Sequence, residues 1–550
     1  MLSRRSFNTA SLSFLLLSKL NLEAFSKDTP ASTKILNRLT FGSTPAQRIE
    51  LEKLGLEAWL DKELTKPTSD AELDRRLSEA KLWIGYEAGT DGKNHKWKKR
   101  EEMLAYQYLK AKGASLIKLT NFEKSGMDWE ERVRPAREVQ AAAWIRAIHA
   151  DAQLREVLTQ FWHDHFNVNA NRDEATAAFF PPYDAMLRSH ALGNFREMLG
   201  NVARSPAMLI YLNNNESKAS PANENFAREL FELHTLGAMH YFNDKYTDWK
   251  SVPGALAGQP EGYIDQDVYE SARAFTGWTV GDGHWIAEGE DAPVTGEFLY
   301  THGWHDPYQK RILGVEFLPN TGPMADGERV LDLAAYHPAT AKFIVLKICR
   351  RLLSDEPPDS LVQNLSEIFI AQAKAPDQIA QVVRALVLSA EFLETPPSKM
   401  KRPFEFVASL YRATGAEMSN PTMDLHYQLI NAGWMQHEWR PPTGHPDKTS
   451  HWANTNTISR LTAFAFSSLD ENFSGGEFDA LAIPADALKT TESLLEFWEE
   501  RMMGTPLQVP QKQSIIDTVG ENVPDDSNER QTAARTVIGL AALTPQFLLR

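Results

Sequence analysis

Apolar residues recur along this chain at intervals of three and four, and that spacing limits the fold more than any other feature. Leu154, Val157, Leu158, Phe161, Trp162 and His165 obey it, as do Phe226, Leu230, Leu233 and Gly237. Side chains so spaced share one face of an α-helix. Further helical stretches fall at 46–64, 137–149, 265–276, 339–353, 379–388 and 403–414, with start signals such as Pro338 and Ser220-Pro221. Alternating patterns are scarce; residues 297–300 and 312–317 would make a small hairpin at most. The pattern predicts an all-α, mostly helical globular fold with a few short β-strands and long loops. Three segments lack sustained periodicity and read as insertions, near 87–134, 241–262 and 281–295. No clean linker divides the rest, so residues 27–550 are expected to form a single large helical domain.

The N-terminus carries a different signal. Arg4-Arg5 precedes a modest apolar run from Ala10 to Ser18, then small and polar residues around Ala24-Phe25-Ser26. A charged segment, a short apolar core and a small-residue exit are the layout of a cleavable export signal. The Arg pair and the weakly apolar core point to the twin-arginine route. Residues 1–26 are therefore expected to leave the mature protein in the periplasm or outside the cell, with cleavage near Ser26. No later stretch approaches the ~20 apolar residues that span a bilayer. Cys349 is the only cysteine and cannot form an internal disulfide. That fits a chain exported already folded from a reducing compartment.

The whole sequence carries 58 Lys+Arg against 73 Asp+Glu. Removal of residues 1–26 takes away Arg4, Arg5, Lys19 and Glu23 and makes the balance more acidic still. Such a body argues against nucleic acid as the main partner, because phosphate neutralisation needs clustered cations. The one basic cluster, Lys93 to Arg100, sits among polar residues and reads as a solvated loop.

Six motifs occur in order. They are Leu36-Asn37-Arg38-Leu39-Thr40-Phe41-Gly42, Phe161-Trp162-His163-Asp164-His165-Phe166, the segment from Asn223 to Gly237, Ala272-Arg273-Ala274-Phe275-Thr276-Gly277-Trp278, His305-Asp306 with Lys310 to Gly314, and Trp439-Arg440-Pro441-Pro442-Thr443-Gly444. Together they resemble the bacterial family catalogued as domain of unknown function 1800. The resemblance runs from about residue 33 to the C-terminus. It implies one domain, export, and a co-exported sulfatase-like protein as a partner, since genes of the two families are often neighbours. It implies no particular chemistry. The chain departs from the family pattern at His445, where a larger aromatic is expected, and in the long loop after Glu87.

The strongest chemical constellation lies on the expected helix 223–237. Phe226, Leu230, Leu233 and Gly237 would form its buried stripe, with Asn225, Glu229 and Glu232 within about 60° of one another along one flank. Two carboxylates and an amide on a partly buried edge could hold a divalent metal ion or act as a general base. Pairing with Arg228 or Arg273 in a structural network explains the same acids. On a continuous helix His163 and His165, two apart, point about 200° away from each other and could not grip one metal together. Were the helix to end near Trp162 and the chain extend, both would face one side and could chelate, but the apolar periodicity through His165 favours the helix. A single inward His165, hydrogen-bonded to a helix carboxylate, is the economical arrangement; one of the two could still ligate a metal. His302, His305 and Asp306 could complete a site built from several segments, although an Asx-type cap by Asp306 accounts for them equally. Trp434, Trp439 and Trp452, interleaved with His437, His445 and His451, are expected to pack. Cys349 is expected in the core.

No G-x-S-x-G elbow, Walker loop, G-x-G-x-x-G after a strand, H-E-x-x-H or C-x-x-C-H occurs. Two readings therefore stand, and the sequence leaves open whether the chain is an enzyme. One is a metal-dependent envelope enzyme, hydrolytic or oxidative, using Glu229, Glu232 and His165. His163, Asn225, His305 and Asp306 are its further candidate ligands. The other is a non-catalytic binding or assembly partner for exported proteins or an envelope glycan.

Overall fold

The computed structural model of the protein describes residues 29–550 apart from residues 69, 92 and 121–125. The expected export signal lies outside the described residues. Helices dominate, joined by short antiparallel strand pairs, so the fold is mostly α as the periodicity predicts.

Local chemistry sets where the helices start. Asp128 accepts from the Glu130 amide at the head of Trp129–His149, Asn194 accepts from Glu197 ahead of Phe195–Arg204, and Asp526 caps Ser527–Ala542. Each cap satisfies an amide that the first helical turn leaves without a partner. The Asp128 cap and two acids in the first turn start the Trp129 helix well before residue 137, so part of the expected 87–134 loop is helical. The remainder of that segment holds Arg100–Ala105, which pairs with Lys81–Tyr86 just ahead of it, and the short pair Gly89–Thr90 with Lys96–Trp97.

The small hairpin expected from 297–300 and 312–317 resolves into two separate pairings. Val294–Tyr300 pairs with Trp278–Asp282, while Lys310–Ile312 pairs with Val315–Phe317. The second is closed by Leu313 at φ 48° and Gly314 at φ 72°. Two consecutive positive φ values make the tight hairpin turn that matches strand twist. The Leu313 amide donates to Asp267 Oδ1 at 2.7 Å. Segment 281–295 carries a further pair, Trp285–Ala287 with Glu290–Asp291. Segment 241–262 winds through 3₁₀ turns over a small satellite core of Val252, Ala255 and Ile264.

One contiguous apolar cluster reaches from Ile35 near the N-terminus to Leu548 at the other end. Trp129–His149 lies against Glu174–Ala178, Phe180–His190 and Pro403–Thr414, and Gln153–His165 packs beside Phe180–His190. Trp162, Trp278, Trp434, Trp452 and Trp498 are all buried. Residues of this size dominate core energetics, and burying a large apolar side chain contributes about 1.5–3 kcal/mol. No helix among the described residues is long and apolar enough to cross a membrane.

Candidate functional site

The expected continuous helix 223–237 is broken in two. Asn225–Glu229 is α-helical and Leu230–His234 is a π-turn. The Thr235 hydroxyl donates to Leu230 O, and the Gly237 amide reaches back six residues to Phe231 O at 2.9 Å. Gly237 has φ 89°, and a Cβ there would lie 2.9 Å from the Phe343 ring. Only glycine fits this close, left-handed exit. The wider turn shifts every later side chain around the axis. The expected stripe residue Leu233 is therefore only half-buried, and His234, expected on the stripe's opposite edge, is fully buried. Such π-turns inside helices occur frequently at functional sites.

Glu229 and Glu232 stay at the half-buried edge of this turn, with Asn225 exposed. The expected arginine partners are engaged elsewhere. Arg228 pairs with Glu224 at 3.0 Å and approaches Asp265 at 4.0 Å, while Arg273 holds Glu270 and Asp306, each at 2.7 Å. Among the described residues, neither Glu229 nor Glu232 forms an ion pair or a side-chain hydrogen bond. Burial, and then the negative charge of Glu232, push the Glu229 carboxyl up to about 7, against a weaker pull from Arg228. This combination of desolvation and like charge disfavours ionisation.

Tyrosines flank the pair. Tyr263 is buried between the rings of Phe231 and Tyr241, at 5.3 and 5.2 Å, and its hydroxyl has no hydrogen-bond partner. Burial, then the charges of Glu232 and the other neighbouring groups, hold that hydroxyl well above its ordinary pKa. Tyr211 donates to Arg440 O at 2.7 Å. Its hydroxyl is raised to about 12 by burial, with Glu229 contributing.

The other candidates are not brought to this pair. Helix Gln153–His165 is continuous, so His163 and His165 point apart as their spacing requires. His163 Nε2 meets Asp184 Oδ1 at 3.0 Å, and Asp184 also receives Arg188 at 2.7 Å and Arg146 at 3.2 Å. The carboxylate expected beside His165 thus belongs to His163. His165 instead bonds His234 O through Nε2 at 3.1 Å, and its Nδ1 faces Lys347 Nζ at 2.9 Å. Both of its ring nitrogens are spent, which leaves none for a metal.

Asp306 takes a bidentate grip from Arg273, at 2.7 and 3.0 Å, and accepts from the Tyr308 amide. That is the Asx-type role weighed for it. His305 Nδ1 lies 3.0 Å from Thr276 O, and its Nε2 is 3.4 Å from Asp326. His302 is exposed. Among the described residues, no group of three or more His, Cys, Asp or Glu side chains is arranged to hold a metal ion.

The aromatic segment packs as expected. Trp434 and Trp452 are buried, with Nε1 donating to Gln436 and Pro446 O. His445 stacks on Trp434 at 4.1 Å and 10° and meets Asp164 at 2.9 Å, so the imidazole does an aromatic ring's packing and adds a polar contact. The Cys349 thiol is buried and pushed up to about 12 by desolvation, which leaves it unreactive.

Sequence reasoning missed Lys347 and Tyr263. Lys347 showed only as one polar position in an apolar helix, and nothing local to Tyr263 signals its proximity to the two acids.

This is a mostly helical protein with two candidate carboxylates at a π-turn and no standard catalytic motif in its sequence. A family model described as protein of unknown function (DUF1800) matches residues 34–549, and the chain belongs to that family. No curated protein and no solved structure matches the chain.

Proposed function

We propose that the protein is an exported envelope enzyme that hydrolyses its substrate by general acid–base catalysis at the Glu229–Glu232 pair. One observation carries the reading: Glu229 is half-buried beside a like charge with no cation paired to it, and it is thereby poised to exchange a proton near neutral pH. In this reading Glu229 donates to the leaving atom and recovers the proton from the attacking water. Glu232 keeps the Glu229 carboxyl high, and the unbonded Tyr263 hydroxyl supplies a donor to the reacting group. Arg4-Arg5 supports the export part of the proposal.

A second reading follows from the missing counter-charge. Two carboxylates without a protein cation, next to the Asn225 amide, suit a hard divalent ion that completes its shell with water. His163, His165, His305 and Asp306 are engaged elsewhere and do not enter that set.

The test uses the full mature protein with ester, amide, phosphate and glycoside reporters, across pH 4.5 to 9. Hydrolysis should show a limb near pH 7, fall by about 10²–10⁴-fold in Glu229→Gln, and have that limb moved to lower pH in Glu232→Gln. Unchanged rates in Glu229→Gln would overturn the proposal. Absent hydrolysis, with calcium or manganese bound in a Glu229-dependent way, would leave the second reading.

A further inference from the structure

Three mostly buried lysines show one way this fold satisfies an ammonium group. Lys310 donates to Asp326 at 2.7 Å, Asp306 O at 2.6 Å and Tyr308 O at 2.9 Å. Lys66 reaches Glu63 and both a carbonyl and a carboxylate oxygen of Asp151. Lys399 reaches Asp355 at 2.6 Å and two oxygens of Asp447. Each uses all three of its N–H donors on oxygen, and each has a carboxylate among its acceptors.

Lys347 departs from that pattern, as does buried Lys401, which donates only to the Ser409 hydroxyl at 2.7 Å and lies over the Phe547 ring. The one hydrogen-bond partner of Lys347 among the described residues is a neutral nitrogen, His165 Nδ1 at 2.9 Å. The acceptor role of that nitrogen is fixed from the other side of the ring, where Nε2 donates to His234 O. The imidazole cannot take a proton to suit the lysine, because the charges would repel; burial, Lys347 and His234 all hold its pKa well below the usual value. Two Lys347 N–H groups remain without a protein acceptor. Nearby acids do not supply one. Asp164 commits one oxygen to His445 and the other to Arg402; Asp447 gives Oδ2 to Lys399, and its buried Oδ1, which has no partner, makes no hydrogen bond to Lys347.

A second observation lies at the same place. His234 is fully buried and neither of its ring nitrogens has a partner. Its ring stands 6.2 Å from that of His165, and the charge of Lys347 helps depress its pKa to about 3, after burial. A buried imidazole with both nitrogens unmet costs free energy unless something else fills the gap. Phe343 lies beside the same groups, its ring 6.2 Å from His165 and 5.4 Å from Lys347 Nζ. Lys347 itself keeps partial exposure, while His165 and His234 are buried beneath it.

We propose that Lys347, with His165 holding its ammonium in place and His234 beside it, forms a binding site for an oxyanion: a carboxylate, phosphate or sulfate group. A ligand oxygen would accept the two free Lys347 N–H bonds and supply the carboxylate-like partner that Lys310, Lys66 and Lys399 take from the protein. Charge-assisted bonds of this kind are about twice as strong as neutral ones. The proposal does not rest on the Glu229–Glu232 reading, and its failure would leave that reading standing.

The experiment is calorimetric titration of the full mature protein with acetate, inorganic phosphate and sulfate in separate runs at constant ionic strength. Thermal melts follow in each anion. Lys347→Met is the main variant, because it keeps most of the side chain's length and apolar bulk and removes the ammonium with its N–H donors; its own melt shows that it folds. We expect saturable binding of at least one anion, a melting temperature that rises with that anion, and a tenfold or greater loss of affinity in folded Lys347→Met. The anion that binds identifies the source of the oxyanion. Lys347→Arg should keep part of the affinity. No saturable binding of any of the three, or equal binding by folded Lys347→Met, would overturn the proposal.

Discussion

Two helical regions of this protein treat negative charge in opposite ways. Glu405, on the buried helix Pro403–Thr414, is surrounded by arginines: Arg402 at 3.1 Å, Arg351 in direct contact and Arg550 at 3.6 Å. Burial alone would raise its pKa, but Arg351, Arg402 and Arg550 pull the carboxyl well below the usual range. The same network extends through Arg402 to Asp164 at 3.0 Å and on to His445. Glu229 and Glu232 have no such company, although Arg228 immediately precedes Glu229 in sequence. Arg228 turns instead to Glu224 and Asp265. The difference teaches that this fold meets a structural buried acid with cations or backbone donors. Buried Asp267 has no cation either, but it spends both carboxylate oxygens on the Ile264 and Leu313 amides, whereas the pair at the π-turn has neither a cation nor a side-chain hydrogen bond.

The comparison breaks first at the structural end. Glu405→Ala would leave three arginines around an empty site, and a buried pair broken from one side costs about 3–5 kcal/mol. Chemical denaturation should show that loss, and a change below about 1 kcal/mol would mean the network is not structural. Gly237→Ala comes next. It forces a side chain into φ 89° against Phe343, with a left-handed penalty of about 1–2 kcal/mol before the contact is counted. Its melting temperature should fall, and Glu229 should lose its raised pKa as the π-turn rearranges. Asp306→Asn should cost less than Glu405→Ala, since its partner Arg273 keeps Glu270. It should not move the pH limb assigned to Glu229.

The smallest effect is on stability against pH. The Glu229 carboxyl rises from 4.5 to about 7 on folding, so the folded state binds the proton more tightly. Its contribution to stability is complete below pH 4.5 and is lost as pH rises through about 7. Glu229→Gln should flatten that part of the profile, read as melting temperature between pH 4.5 and 8. A wild-type and variant difference that does not change with pH would remove the distinction between the two regions.

Much of this was legible in the residues and some was not. The three-and-four spacing gave the helical fold because amphipathic periodicity is local. Glu229 and Glu232 stood out because both fall in one short segment, and the weighed Asx role of Asp306 is present. The π-turn was hidden: an α-helix and a π-turn share the same apolar pattern over five residues, and the close approach of Phe343 to Gly237 that favours the wider turn comes from more than a hundred residues away. For the same reason Leu233 and His234 exchanged their expected environments. The partners of His163 and His165 could not be read either, because Asp184 and Lys347 reach them across the fold. Likewise the 87–134 segment lacked helical spacing because part of it is a strand hairpin, whose inward contacts are not periodic at 3.6.

The central claim is that Glu229 is held near neutrality by burial and by Glu232. Carbon-13 titration of the side-chain carboxyls of the full mature protein, with Glu229 assigned by the signal lost in Glu229→Gln, measures it without a substrate. The account predicts a midpoint for Glu229 at about 7 that moves down in Glu232→Gln. A midpoint near the ordinary 4.5, unchanged by Glu232→Gln, would contradict it.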